Sequence, residues 1–267
     1  EIHERLVGSE MCIRDSLHVH TEYSLLDGSN KINEYVSRVK ELGMKSAAIT
    51  DHGVMFGCID FYKAAKAAGI KPILGCEVYV APGSRFDKEK GKEEDRYYHL
   101  VLLAENNQGY QNLMKIVSKS FKEGFYYKPR VDLELLREYH EGLIALSACL
   151  AGEVARFLTR GMYPDAKKAA LRYQEIFGEG NFFLELQDHG IPEQQNVNQQ
   201  LLRMHQETGI DLVATNDIHY TYKEDADPHD ILLCLQTGKK LSDTDRMRYE
   251  GGQYLSLIHI SEPTRRS

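Results

Sequence analysis

The chain has 267 residues, 42% of them hydrophobic, and its 33 basic and 40 acidic residues give a net charge of −7. This length is sufficient for one substantial core, and the acidic balance argues against a domain that grips nucleic acid by bulk electrostatics, although a local basic strip is not excluded. Because no run of eighteen apolar residues and no charged start before an apolar segment occurs, we expect neither a membrane span nor a signal peptide.

Cysteine usage indicates the redox compartment. The five cysteines are scattered, odd in number and free of any Cys-x-x-Cys pair, so a reducing cytoplasm fits better than a disulfide framework. They are Cys12, Cys58, Cys76, Cys149 and Cys234.

The two ends of the chain lack the pattern of the middle. Residues 1–16 show no clear period, and residues 257–267 lose the coherent pattern that precedes them. Both tails resemble translated sequencing-adapter read-through, so we expect the folded domain to span residues 17–255. We expect that region to be one domain cut from a larger protein.

Short apolar segments alternate with amphipathic helices along the middle of the chain. The predicted strands are 17–20, 46–50, 71–80, 97–104, 143–147, 181–186 and 211–215. The predicted helices are 31–42, 56–68, 107–120, 153–159, 164–177, 192–208 and 228–236. This α/β alternation predicts a parallel sheet with helices outside, closed or nearly closed into a seven-stranded β/α barrel, with an open doubly wound sheet as the alternative.

Two loops interrupt this rhythm. Residues 85–96 are charged, and we expect them to be solvated and mobile. Residues 124–132 are aromatic, basic and limited by proline, and we expect an ordered loop.

The first predicted strand carries two histidines, His18 and His20, alternating with Leu17 and Val19. Alternation along a strand places both imidazoles on one face and both aliphatic side chains on the other. Asp27 follows at a turn, so two imidazoles and a carboxylate form the start of a metal site.

Further ligand-type residues recur where later strands end. Taken alone, His52 could be a loop residue, His99 a core histidine and Cys149 a small buried hydrophobe. Together, buried carboxylates and imidazoles without partners would be costly, and shared metal ions remove that cost. The candidate ligands are His18, His20, Asp27, His52, Glu77, His99, Cys149, Asp217 and His219.

Nine ligands exceed the needs of one tetrahedral ion, and with bridging carboxylates they could hold two or three. Imidazoles mixed with carboxylates suit zinc, manganese or iron better than calcium or magnesium. Such a cluster lowers the pKa of bound water and neutralises phosphate charge, which is the chemistry of phosphoester hydrolysis.

The order of these motifs resembles the PHP (polymerase and histidinol phosphatase) family. The motifs are His-x-His, Asp-Gly, Thr-Asp-His, Gly-x-Glu, His-Leu, Ser-x-Cys and Asp-x-His. The resemblance implies a distorted seven-stranded β/α barrel with a trinuclear metal site at the carboxyl ends of the strands, whose nine ligand positions fall on the nine candidates above. Where family phosphatases often have histidine, this chain has Asp27 and Cys149.

Within that family the chain is most similar to the N-terminal domains of bacterial DNA polymerase III alpha subunits. The residues that carry this match are 20–28, 49–53, 124–130 and 230–239. It implies a parent DNA-directed DNA polymerase of the cytoplasm that uses DNA, deoxynucleotides and magnesium, with other replicase subunits, including a proofreading exonuclease, as partners. The catalytic polymerase carboxylates would lie in a later domain.

For the domain itself, the resemblance implies two or three divalent metals, zinc or manganese with iron as a further option, and metal-dependent 3′–5′ exonuclease activity. One alternative is a non-catalytic, metal-stabilised scaffold that docks a proofreading exonuclease. The other is a free-standing PHP phosphatase, which the Lys128-Pro129-Arg130 loop fits less well.

Four residues are weaker candidates. Lys128 and Arg130 could contact a phosphate, since basic residues beside aromatic ones suit single strands, or they could lie in a solvated loop. Glu22 and Asp51 could orient ligand imidazoles, although Asp51 could equally cap the helix that follows. We expect Asp225, Asp227 and His229 to cap the last helix rather than bind metal.

Overall fold

The computed structural model describes residues 10–13, 16–88, 96–249, 251–256 and 258–261. The helices in this part of the chain are α1 Ile32–Glu41, α2 Cys58–Ala68, α3 Asn107–Lys122, α4 Leu133–Glu138, α5 Glu153–Thr159, α6 Tyr163–Phe177, α7 Pro192–Thr208 and α8 Ala226–Thr237. The strands are β1 Glu10–Ile13, β2 Ser46–Ile49, β3 Lys71–Val80, β4 Tyr98–Ala104, β5 Phe125–Tyr126, β6 Lys128–Val131, β7 Leu143–Leu146, β8 Phe182–Leu186, β9 Leu212–Ala214 and β10 Ile258–Ser261.

The main sheet runs in the order β5-β6-β3-β4-β7-β8-β9, with β2 paired to the first half of β3. The segment of residues 16–20 lies between the two ends of this sheet. On one side, Ala48 N donates to Ser16 O at 2.9 Å and Thr50 N to Val19 O at 2.8 Å; on the other, His20 N donates to Ile218 O at 2.8 Å. The sheet therefore curls on itself, which confirms the predicted barrel-type architecture rather than the open sheet.

One strand runs against the predicted direction. β4 is antiparallel to both of its neighbours, β3 and β7, whereas the sequence pattern predicts a parallel sheet throughout. The cause lies in the connection, because the described residues between β3 and β4, 81–88 and 96–97, contain no crossover helix. A strand that returns without such a crossover pairs antiparallel with the strand before it.

Both irregular segments differ from their predictions. Residues 124–132 form a hairpin, β5 and β6, whose turn residue Tyr127 has φ +61°, and β6 also pairs parallel with β3. In the predicted mobile loop, the Arg85 side chain is buried and ion-paired with Asp132 at 2.9 Å, while residues 89–95 lie outside the described part. Asp132 also caps α4, a helix that the sequence pattern does not predict, by accepting a hydrogen bond from Leu135 N at 3.0 Å.

Helix packing against the outside of the sheet follows the apolar periodicity. Val197, Leu201 and Met204, which share one stripe of α7, are all buried, as predicted. α2 and α7 end at Gly69 and Gly209, both left-handed, where glycine lacks the Cβ that would clash. Across the described residues, no helix has both the length and the apolarity that a membrane crossing would need.

β1 and β10 form a separate two-stranded antiparallel ribbon, with Glu10 opposite Ser261. These strands lie in the two tails that resemble adapter sequence, and that origin stays a prediction.

Candidate metal centre

All nine predicted ligand residues meet at one end of the sheet. His18 and His20 come from the segment between β2 and Ile218, Glu77 from β3 and His99 from β4. The others follow closely on a strand or precede a helix: Asp27, His52, Cys149, Asp217 and His219. We call these nine residues the donor cluster.

Glu77 lies at the centre of the donor cluster and is fully buried. Its Oε1 lies 2.9 Å from His99 Nδ1 and 3.4 Å from His18 Nε2. Its Oε2 lies 2.7 Å from His52 Nδ1 and 3.5 Å from His20 Nε2. One carboxylate thus faces four imidazoles, so Glu77 would be a central residue in holding metal.

Two aspartates complete the ring of contacts. Asp217 Oδ1 lies 3.3 Å from His18 Nε2 and 3.2 Å from His20 Nε2. Asp27 Oδ2 lies 2.6 Å from His52 Nε2 and 3.5 Å from His219 Nε2.

Cys149 is the most peripheral donor, with its Sγ 3.8 Å from His99 Nδ1. Burial, together with the charges of Asp217 and Glu77, raises the pKa of its thiol well above the usual range. The thiolate form that ligates metal would therefore require the metal itself to displace the proton.

Buried polar atoms without hydrogen-bond partners test whether these residues fit metal ions. A buried donor or acceptor left unpaired is costly, so several of them converging on one point require an explanation. Within the described residues they include His18 Nε2, His20 Nε2, Asp27 Oδ1, His52 Nδ1, both Glu77 oxygens and Asp217 Oδ1. All of these atoms belong to the donor cluster, and divalent cations would satisfy them together.

The donor atoms form three overlapping sets, and within each set the atoms lie within 4.8 Å of one another. They are His18–His20–Asp217, His20–His52–His219 and His52–Glu77–His99. Neighbouring sets share His20 and His52, so the three sets form one continuous group of donors that could hold metal.

The imidazoles of the donor cluster differ in pKa. Burial lowers the pKa of His20, and neighbouring His52 and His219 lower it further, to about 3. Burial also opposes the charged form of His52, but Glu77 and Asp27 outweigh it and raise the pKa of His52 to about 10. The protonated imidazole of His52 thus offsets part of the negative charge of Glu77 and Asp27.

Backbone strain also concentrates here. Three residues other than glycine adopt positive φ beside or within the cluster: Leu26 at +63°, Ala148 at +63° and Asp217 at +44°. Leu26 and Ala148 directly precede the donors Asp27 and Cys149. Left-handed backbone at such residues persists only where surrounding structure holds it, and it clusters at functional sites.

The two predicted orienting carboxylates behave differently. Asp51 is buried and accepts a hydrogen bond from Ser24 Oγ at 2.9 Å, and that hydroxyl lies 3.2 Å from His20 Nδ1. Asp51 therefore acts on an imidazole only through Ser24. Glu22 is exposed and lines a separate groove with Lys31 and Asp60, so the structure gives it no role at an imidazole.

Three further residues back the donor cluster and were missed by sequence reasoning. Glu185 Oε1 lies 2.7 Å from His18 Nδ1, Tyr249 Oη lies 3.3 Å from His219 Nε2, and His229 Nε2 lies 2.6 Å from the carbonyl of Asp27. His229 is buried inside α8 rather than capping it. Glu185 could have been found from the sequence, because it is the one carboxylate in the otherwise apolar strand Phe182–Leu186.

A groove of about 780 Å³ leads from the donor cluster to the surface. Its rim carries four exposed apolar side chains: Leu25, Phe56, Phe121 and Met247. Lys128 lines its wall, with Nζ 5.4 Å from the Tyr79 ring centroid. Arg130, the other predicted phosphate contact, is instead buried and donates to the carbonyls of Gly124, Arg85 and Asp87, which commits its guanidinium to the hairpin.

Comparison with known proteins then decides the family. The PHP domain family model matches residues 16–189. The chain belongs to the PHP domain family. As a PHP domain it is 48% identical over 238 residues to the DNA polymerase III subunit alpha of Treponema pallidum, covering 89% of this chain and 20% of that protein. The same subunit of Thermus aquaticus is 48% identical over 236 residues, covering 87% of this chain and 19% of that protein.

The chain thus spans about a fifth of the length of these curated relatives. Among solved structures, an amidohydrolase from Chromobacterium violaceum, solved with bound sulfate and no metal, superposes with a TM-score of 0.51 at 15% identity. The match covers 78% of this PHP domain and 88% of that chain, and it supports the fold alone.

Proposed function

We propose that this PHP domain hydrolyses phosphodiester bonds at DNA 3′ ends with two or three divalent metal ions, zinc or manganese, held by the donor cluster. The observation that carries the proposal is the convergence of nine donor residues on one point, where seven of their buried nitrogen and oxygen atoms, from five segments of the fold, lack hydrogen-bond partners within the described residues. Core packing alone does not account for them, because each carries a desolvation cost that bound cations would remove. When bound, such ions lower the pKa of a coordinated water and neutralise phosphate charge.

The chain's own residues supply the remaining parts of the site. Lys128 lies on the groove wall, where its ammonium can hold a phosphate beside the donor cluster. Phe56 and Phe121 stand exposed at the rim, where bases of a single strand can stack. Because burial and the charges of Asp27 and Asp217 raise the pKa of Tyr249, its hydroxyl stays protonated beside the donor cluster, 3.3 Å from His219 Nε2.

We further propose that the chain is the N-terminal part of a DNA polymerase III alpha subunit. Support comes from the 48% identity to such subunits over 89% of the chain. The parent would be a cytoplasmic polymerase that takes DNA and deoxynucleotides with magnesium and assembles with other replicase subunits, including a proofreading exonuclease. In that parent, polymerisation belongs to the remaining length of the polypeptide.

An exonuclease assay tests the hydrolytic proposal. The chain, loaded with Mn²⁺ or Zn²⁺, is incubated with a 5′-labelled primer whose 3′ end is mispaired. We expect stepwise shortening by the chain and none by the double variant His18→Ala, His20→Ala. An intact primer in the presence of chain that holds two or three ions would overturn hydrolysis.

A non-catalytic scaffold is the second candidate, and the position of the donors favours it. His18 and His20 lie in the segment that joins the two ends of the curled sheet, so ions at the donor cluster would clamp that closure. Bound metal would then contribute folding free energy rather than turnover. A metal-dependent rise in Tm with no shortening of the primer supports the scaffold, whereas a rise accompanied by shortening supports the enzyme.

A further inference from the structure

Glu185 is a buried carboxylate of β8 that lies directly behind a metal donor. Its Oε1 lies 2.7 Å from His18 Nδ1, a residue 167 positions earlier in the chain, and both side chains are fully buried. The same oxygen accepts hydrogen bonds from Gln187 Nε2 at 3.0 Å and from Thr215 Oγ1. Three donors therefore fix this carboxylate oxygen in place.

The two nitrogens of His18 face opposite environments. Nδ1 faces Glu185, while Nε2 lies 3.3 Å from Asp217 and 3.4 Å from Glu77. A proton on Nδ1, donated to Glu185, leaves the Nε2 lone pair directed into the donor cluster. We propose that Glu185 is the positioning residue that fixes this tautomer and ring orientation of His18, and so makes His18 a more strongly donating ligand than His20 or His219.

Two other imidazoles of the donor cluster, those of His20 and His219, are backed by weaker acceptors. His20 Nδ1 lies 3.2 Å from the hydroxyl of Ser24, and His219 Nδ1 lies 2.8 Å from the backbone carbonyl of Asp217. A carboxylate behind an imidazole raises its basicity as a ligand more than a neutral oxygen does. Among these three histidines, His18 is the one with a carboxylate partner outside the donor cluster.

The carboxylate of Glu185 is not needed to hold its own strand. The backbone N–H of Glu185 donates to Ser147 Oγ at 2.8 Å, and Glu185 pairs with Val213 in the β8–β9 ladder. Glu185→Gln therefore keeps the strand, the side-chain volume and an oxygen able to accept from Nδ1, while it removes the charge and replaces the second oxygen with an amide NH2. This makes the conservative variant informative.

The inference rests on the proposed function, because it assumes that the donor cluster binds metal. Its test is a Co²⁺ titration of the full chain, read by the visible absorption of the bound ion and its stoichiometry. We expect Glu185→Gln to weaken the tightest Co²⁺ site about 10- to 100-fold and to change its spectrum, with stoichiometry retained in excess metal. Thr215→Val, which removes one donor to Glu185, is expected to produce a smaller shift in the same direction.

Glu153→Gln is the matched control. Glu153 is also a buried carboxylate, hydrogen-bonded to Tyr173 Oη at 2.8 Å and Arg172 Nη2 at 2.6 Å, but it contacts no residue of the donor cluster among its recorded partners. We expect it to lower the unfolding midpoint while leaving Co²⁺ affinity and spectrum unchanged. An effect on metal binding by Glu185→Gln and not by Glu153→Gln separates positioning from general destabilisation.

Two results would overturn the role of Glu185 alone. Wild-type affinity and spectrum in Glu185→Gln would show that the carboxylate does not act through His18. Loss of a whole metal equivalent in excess Co²⁺ would make Glu185 itself a ligand. If the wild-type chain binds no Co²⁺, the proposed function fails along with this inference.

Discussion

Two groups of buried charges in this domain are built on opposite principles. The donor cluster gathers carboxylates and imidazoles whose inward-facing atoms lack hydrogen-bond partners in the described residues. The second group, which we call the arginine latch, consists of Arg85, Glu123, Asp132 and Arg130. Arg85 Nη1 donates to Asp132 Oδ1 at 2.9 Å, Arg85 Nε to Glu123 Oε2 at 2.8 Å, and Arg130 Nη2 to the carbonyl of Asp87 at 2.5 Å.

The difference shows how a candidate binding site can be distinguished from a group of ion pairs that only stabilises the fold. The latch pairs opposite charges and satisfies its donors from within the chain, so it stabilises the loop before β4 and the β5–β6 hairpin. The donor cluster has close carboxylate–imidazole contacts, but seven of its buried atoms lack hydrogen-bond partners within the described residues, at a point reached by a groove, as expected of a site for a ligand from outside the chain. Breaking each group should therefore have different consequences.

The largest effect is expected from removing two donors. His18→Ala with His20→Ala should abolish metal-dependent turnover and the gain in stability on adding Mn²⁺, which amounts to about 4 kcal/mol at a thousandfold excess over Kd. Thermal unfolding with and without Mn²⁺ measures this gain. His140→Ala, at an exposed histidine, is the control. A double variant that is still stabilised by Mn²⁺ as the wild type is would contradict the assignment.

Breaking the latch should cost stability without loss of metal. Asp132→Ala removes the buried carboxylate partner of Arg85, leaving Glu123 as its remaining partner in the latch, and it also removes the cap of α4, so we expect the free energy of unfolding to fall by about 2–5 kcal/mol. Denaturant unfolding measures it, and elemental analysis of the folded variant should give wild-type metal content. Metal loss on this substitution would show that the two groups are coupled.

Metal affinity should depend on pH in the direction set by His52. Burial disfavours the charged form of His52, but the charges of Glu77 and Asp27 outweigh burial and raise the pKa of His52 to about 10. Without metal, His52 therefore carries this proton at neutral pH. Metal must displace it, and affinity therefore rises with pH until about 10. Between pH 6 and 8, calorimetric titration with Mn²⁺ should show about a tenfold gain per pH unit for each proton displaced. A flat profile would mean that His52 is not a ligand.

The smallest effect is expected at the groove wall. Lys128→Met should weaken binding of a single strand modestly and reduce the slope of log affinity against log salt by about 1, because one phosphate contact is lost. Arg130→Met should lower stability and leave that salt slope unchanged, since Arg130 is hydrogen-bonded to backbone carbonyls. Equal effects of the two substitutions on the salt slope would contradict this division.

Sequence reasoning located the donor cluster because its signal is local. Alternation of His18 and His20 along a strand, and the recurrence of ligand-type residues where strands end, follow from periods that are visible in the chain. The same periodicity placed α5 and α7 at their observed bounds. These features depend on neighbours within a few residues, which is the range over which a sequence pattern carries information.

The features that were missed depend on partners far apart in sequence. Arg85 lies in a charged stretch that the sequence predicts to be solvated, but it is buried and pairs with Asp132, 47 residues later in the chain. Glu185 meets His18 across 167 residues. β4 is the exception, because its reversal follows from a local connection: the predicted elements contain no helix between residues 71–80 and 97–104. For Arg85 and Glu185, tertiary pairing decides the outcome.

The central claim is that the donor cluster holds metal, and the metal content of the purified chain tests it most directly. After exhaustive dialysis against metal-free buffer, elemental analysis of the folded chain should find two or three equivalents of a transition metal per molecule. A folded chain with no bound metal, and none taken up from added Zn²⁺ or Mn²⁺, would contradict the account.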